Sequence, residues 1–139
     1  MKFLILNGPN LNMLGFRNKK HYGSFTLKDL ENHILKFCQN KYAVEFFQSS
    51  YEGSIIDKLH STDADCVILN AGAYTHYSYA IRDAIECIVP DVIEVHISKI
   101  SERENFRKIS VIKDVCIHSI EGEGMDSYIK AIDYYLKNK

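Results

Sequence analysis

The 139-residue sequence is short of the features that single out several function classes. No apolar run approaches the length of a membrane span. Net charge is only −1, so charge gives no reason to expect nucleic acid or an anionic membrane as a partner. There are no internal repeats, no low-complexity segment and no linker, which predicts one domain over residues 1–139. The four cysteines, Cys38, Cys66, Cys87 and Cys116, include no C-x-x-C pair. A zinc or thioredoxin-type motif is therefore unsupported, and each cysteine reads as a buried free thiol in a reducing cytoplasm. Met1-Lys2 leads straight into a strand-like segment, leaving no room for a signal peptide and again predicting a cytoplasmic protein.

What is present alternates. Near-continuous apolar runs predict strands at Lys2 to Asn7, Ala43 to Gln48, Cys66 to Asn70, Val92 to Ser98 and Val115 to His118. Helical periods fall between them. Leu27, Leu30, Ile34 and Phe37 follow Thr26 as an N-cap. A short helix spans Ser54 to His60, and Ile81, Ala84, Ile85 and Ile88 form a stripe that Pro90 stops. A last helix after Gly124 carries Met125, Tyr128, Ile129, Ile132, Tyr135 and Leu136. Strands alternating with helices predict a flavodoxin-like α/β fold, a doubly wound five-stranded parallel sheet with helices on both faces.

Such sheets bind ligands beyond the carboxyl ends of their strands. Strand one ends in Asn7-Gly8-Pro9-Asn10, strand three in Asn70-Ala71-Gly72-Ala73 followed by Tyr74-Thr75-His76, and strand four carries Glu94, His96 and Ser98. These segments reach one rim. His96 reads either as a satisfied core group or as a site residue, and the asparagines on the same rim favour the second. Glu94 shares its strand face, either supporting the imidazole or forming a structural ion pair. Thr75 is a plausible N-cap, with His76 at a helix start. Asp83 lies off the apolar stripe and reads as a surface charge. Arg107 lies in SERENFRKIS, a charged, helical-looking stretch where surface arginines are common.

The loop NGPNLNMLGFRNKKHYG is long for so small a domain, which marks it as functional or disordered. It carries Arg17 and Tyr22 between Gly15 and Gly23. A phenol is mostly protonated at neutral pH, and a permanently charged guanidinium beside it favours the phenolate. That offers a general base, with His96 opposite as an acid. Base and acid across a small polar pocket suit elimination or hydration of a small molecule. An FMN module would want a Ser/Thr-rich loop after strand one, and a receiver domain an aspartate where Asn70 stands. The intact Arg17, Tyr22 and His96 set argues against a non-catalytic relative.

GPNLNMLGFR followed by YG, then FFQSSYEGSIIDKL, NAGAYTHYS and EVHIS with RENFR after it, resembles the type II 3-dehydroquinate dehydratases nearly end to end. The resemblance implies dehydration of 3-dehydroquinate to 3-dehydroshikimate in the shikimate or quinate pathway. It implies no cofactor and a homododecamer built from trimers; no metal is expected, and the charge and hydropathy above predict no nucleic-acid or membrane partner. It further implies Tyr22 as proton acceptor, Arg17 as the lid residue that poises it, and Asn10 as holder of a water at the enolate oxygen. His96 would give a proton to the departing hydroxyl with Glu94 behind it. Asn70 and the amides of Ile97 and Ser98 would hold the carboxylate, His76 and Arg107 would meet ring hydroxyls, and Asp83 would reach a neighbouring subunit's site. The chain departs from the family at Ala71, where proline is usual, at Lys99 in place of asparagine, at Ser127 in place of glycine, and in a basic run, Asn18-Lys19-Lys20-His21, before Tyr22. The other dehydroquinase class forms a lysine imine on a barrel of about 250 residues, far longer than this chain.

Overall fold

The computed structural model describes residues 1–139. Five strands, β1 (Lys2–Asn7), β2 (Ala43–Gln48), β3 (Cys66–Asn70), β4 (Asp91–His96) and β5 (His118–Glu121), form one sheet in the order β2-β1-β3-β4-β5. All four pairings are parallel. The expected doubly wound architecture is borne out. The central strands read as unbroken apolar runs because both faces are covered. Alternate residues serve the two faces. Phe3, Ile5, Ile68, Ile93 and Val95 pack under α2 (Leu27–Cys38) and α5 (Asp126–Lys137). Leu4, Leu6, Val67, Leu69 and Val92 pack under α3 (Glu52–Ser61) and α4 (Tyr79–Glu86).

Helix α2 starts where Thr26 predicts, and the cap is reciprocal. Thr26 Oγ1 accepts from the Asp29 amide at 3.1 Å, and Asp29 Oδ2 accepts from the Thr26 amide at 2.9 Å. Helix α4 is capped by Ser78, whose hydroxyl accepts from the Ile81 amide at 3.0 Å, and not by Thr75. Thr75 is buried inside a 3₁₀ turn, Gly72–His76, so its hydroxyl has no cap to serve.

Three other expectations shift. Strand β4 ends at His96, and Ile97 and Ser98 peel away from the ladder. The last strand is His118–Glu121, because the chain runs through a 3₁₀ turn at Lys113–Val115 before it can pair with β4. The stretch around Arg107 is not a helix but two short 3₁₀ turns, Ile100–Glu102 and Asn105–Lys108. Of the cysteines, Cys38 and Cys66 are buried and Cys116 half-buried, but Cys87 is exposed where α4 ends. Burial pushes the Cys116 thiol up to about 12. No helix is long and apolar enough to cross a membrane.

The chain reverses its winding between β1 and β3, and there the two strands end side by side, Asn7 paired with Asn70. Gly8 and Gly72 make this possible. A Cβ on Gly8 would lie 2.6 Å from the Ala71 carbonyl oxygen, and Gly72 has φ +60 with Pro9 O within 2.9 Å of where its Cβ would stand. Both βα turns can therefore cross backbone to backbone and leave an open rim above them.

Candidate active site

A recess of about 100 Å³ sits on that rim. It is far smaller than the roughly 300–1,000 Å³ of drug-sized sites, so it suits a small polar molecule rather than a flavin nucleotide. Asn10, Arg17, Tyr22, Asn70, His76, His96, Ile97, Ser98 and Arg107 all line it. Glu94 lies behind His96, and Asp83 is exposed on α4 and does not line the recess. No lysine lines it.

The floor is a buried ladder. Tyr128 donates its hydroxyl to Asn7 Oδ1 at 2.6 Å and accepts from Asn70 Nδ2 at 3.0 Å. Asn70 Oδ1 accepts from the Gly72 amide at 3.1 Å. Asn70 is thereby locked in orientation, with one Nδ2 hydrogen left for the recess. The departure of Ile97 and Ser98 from the ladder has a chemical result: neither amide donates to a backbone carbonyl. Two adjacent free N–H groups beside an open pocket make an anion seat.

One wall is built on β4. His96 Nε2 lies 2.6 Å from Glu94 Oε1, and both residues are buried. The same oxygen accepts from the Ser110 hydroxyl at 2.7 Å. Burial pushes the Glu94 carboxyl up, but His96 and the Ser110 and Ser119 hydroxyls outweigh it and hold the group below its ordinary value. An ionised Glu94 keeps a proton on Nε2 and leaves Nδ1 for the recess. His76 stands nearby with Nδ1 2.7 Å from the Ile109 carbonyl, and burial pushes it below its ordinary value. It is a neutral ring at neutral pH, with Nε2 unengaged.

The facing wall is the loop after β1. Asn18 caps the short helix α1 (Lys19–Tyr22) through its side chain, which accepts from the Lys20 amide at 3.0 Å. Gly23, at φ +71, turns the chain out again after Tyr22. Tyr22 meets two guanidiniums. That of Arg17 stacks over the ring, its carbon 3.6 Å from the centroid. The hydrogen bond to the phenol oxygen comes instead from Arg103, whose Nη1 donates to it at 3.0 Å and to Ser98 Oγ at 3.1 Å. The sequence places only Arg17 beside Tyr22; Arg103 was missed. It belongs to the same RENFR segment as Arg107, and both arginines line the recess. Arg107 Nε is 3.1 Å from Glu104 Oε2 but out of line for a hydrogen bond. Burial pushes the Arg17 guanidinium below its ordinary value; Tyr22 opposes this, and Arg103 and Arg107 reinforce it. Three guanidiniums around one small recess give it a strongly positive field.

Known proteins are similar to this chain over nearly its whole length. The family model described as dehydroquinase class II matches residues 1–136. The 3-dehydroquinate dehydratase of Thermotoga neapolitana is 51% identical over 138 residues, covering 99% of this chain and 95% of that protein. The Bacillus pumilus protein of the same name is 50% identical over 135 residues, covering 95% of this chain and 92% of that one. Among solved structures, the type II dehydroquinase from Butyrivibrio crossotus superposes with a TM-score of 0.94 at 50% identity, covering 96% of each chain. That from Propionibacterium acnes gives 0.91 at 36% identity, covering 96% of this chain and 94% of that one. The chain belongs to the class II dehydroquinase family.

Proposed function

We propose that this chain is a 3-dehydroquinate dehydratase, a hydro-lyase that works through an enolate with Tyr22 as base and His96 as acid. The observation that carries the reading is that base and acid line one small recess from opposite elements, the lid and β4. Tyr22, with a guanidinium hydrogen-bonded to its oxygen and another on its ring face, takes a proton from the carbon beside the substrate ketone. The C–H electron pair moves into an enolate. Asn10, held in a left-handed conformation at φ 68 on the rim, positions a water at the enolate oxygen. His96 Nδ1 then gives its proton to the hydroxyl leaving the neighbouring carbon. The C–O bond breaks, a conjugated double bond forms, and water departs. Glu94 balances the imidazolium charge while the proton waits. The tyrosine ends one proton richer and the histidine one poorer, and solvent resets both.

The substrate carboxylate sits on the free amides of Ile97 and Ser98 with the remaining Asn70 hydrogen, in the field of the arginines. Neutral His76 and Arg107 meet ring hydroxyls. With no lysine in the recess, an imine route has no nucleophile here. We further read the working form as a homododecamer built from trimers, in which exposed Asp83 reaches a neighbour's recess. The function is tested by mixing protein with 3-dehydroquinate and following ultraviolet absorbance. A rising enone band supports it, and a flat trace rejects it.

A further inference from the structure

A second recess lies on the other side of Arg103. It has a volume of about 450 Å³ and is walled by Lys20 and His21 from the lid helix and by Lys99, Glu102 and Arg103 from the turns after β4. We propose that this recess is an anion site of its own, which takes a small doubly charged oxyanion of phosphate size and, when filled, clips the lid helix to the body of the protein.

The charges do not balance without a guest. Lys20, Lys99 and Arg103 line the recess with one acid, Glu102, which Lys99 holds at 3.2 Å; Glu104, outside the lining, lies 3.5 Å from Arg103 Nε, and Lys20 has no carboxylate partner. His21 records the same crowding: partial burial and then the neighbouring Arg103 and Lys20 push it below its ordinary value. Cations contributed by two separate elements repel across an open cleft, and an anion between them turns that repulsion into charge-assisted hydrogen bonds. Arg103 is a fixed part of that wall. Its Nη1 is committed to Tyr22 and Ser98, its Nε lies 3.5 Å from Glu104 Oε2, and its side chain is only 9% exposed.

The recess also has a built floor. Gly122, at φ +80, brings its backbone so close to Lys99 that a Cβ there would stand 3.0 Å from the Lys99 Cβ. The Gly122 amide donates to the His96 carbonyl at 3.2 Å, which ties this floor to the strand that carries the proposed acid. Arg103 and Ser98 line both recesses. An anion here therefore grips α1 two residues before Tyr22 and shares a wall with the site below. The volume is ample for phosphate with several of its waters, at about 30 Å³ per water.

The test reads binding without turnover, so it stands apart from the dehydratase assignment. Inorganic phosphate is titrated calorimetrically into the whole protein at fixed ionic strength set with chloride, then into Lys20→Gln and Lys99→Asn. Both positions are exposed and outside the proposed catalytic set. The expected result is saturable binding weakened at least fivefold by each substitution, with turnover in phosphate-free buffer unchanged. Equal phosphate affinity in all three proteins overturns the proposal. So does complete loss of phosphate binding in Arg107→Gln, a residue that lines the first recess and not the second, which assigns the ion to the first recess. Acetate binding as tightly as phosphate overturns the assignment of a doubly charged guest.

Discussion

Arg103 Nη1 donates to the Tyr22 oxygen at 3.0 Å, so a residue 81 positions away in sequence supplies the hydrogen bond that the proposed base needs. Arg17, five positions away, covers the face of the ring instead. The two arginines are not equivalent. One donates to the phenol oxygen, and the other lies over the ring's π cloud.

Arg103→Lys keeps the charge but loses the planar fork that bridges Tyr22 and Ser98. Turnover is expected to fall about 10²-fold, within the range for an impaired general base. The loss falls mainly on kcat, since Arg17 and Arg107 still supply field for an anionic substrate. Steady-state kinetics check this. A lysine variant with native kcat removes Arg103 from the base assembly.

Glu94→Gln takes away the carboxylate behind His96 while keeping its shape. The imidazolium loses its counter-charge, and kcat is expected to drop about 10²-fold. Its pH profile should narrow on the basic side, where the acid must still hold its proton. An unchanged basic limb leaves Glu94 a merely structural partner.

Tyr128→Phe deletes the hydroxyl between Asn7 and Asn70. It leaves a buried acceptor and a buried donor unpaired, for a cost of about 2–4 kcal/mol in urea unfolding. Freed from its lock, Asn70 is expected to raise KM more than it lowers kcat. A stability change below about 0.5 kcal/mol contradicts the ladder's role.

Stability should fall as pH drops, in two windows. His76 and His21 sit below their ordinary value of 6.5 in the folded chain, so the folded state binds fewer protons than the unfolded one there. Their contribution is complete above pH 6.5 and is lost as pH falls below it. Glu94 sits below 4.5, so its contribution is complete above pH 4.5 and is lost below that. Melting temperatures measured from pH 7 to pH 5 should decline, and His76→Asn should flatten the decline. An equal slope in both proteins excludes His76 from the effect.

Much of this was legible in sequence, for a physical reason. Strands buried on both faces write themselves as apolar runs, and the polar residues that end them, Asn7, Asn70 and His96, stand out against that background. The two-residue spacing of Glu94 and His96 places them on one strand face, and they meet. Legibility fails where periodicity fails. Arg103 sits between 3₁₀ turns with no repeating face, so nothing local separates it from Arg107 or from the surrounding lysines. Strand β5 is a half-buried edge, HSIE, with too few apolar residues to announce its register. The free amides of Ile97 and Ser98 arise from the strand ending two residues early, a backbone event no side chain reports. Ser78 rather than Thr75 caps α4 because the intervening chain spends a 3₁₀ turn first.

The most direct test is the rate at which Tyr22→Phe converts 3-dehydroquinate to the ultraviolet-absorbing enone, measured beside the unaltered protein. Removing one oxygen leaves the stacked Arg17 and the lid in place but deletes the proposed base. The account predicts steady enone formation by the unaltered protein and a kcat lowered at least about 10²-fold in the variant, with substrate binding retained. Turnover by Tyr22→Phe at the unaltered rate would contradict it.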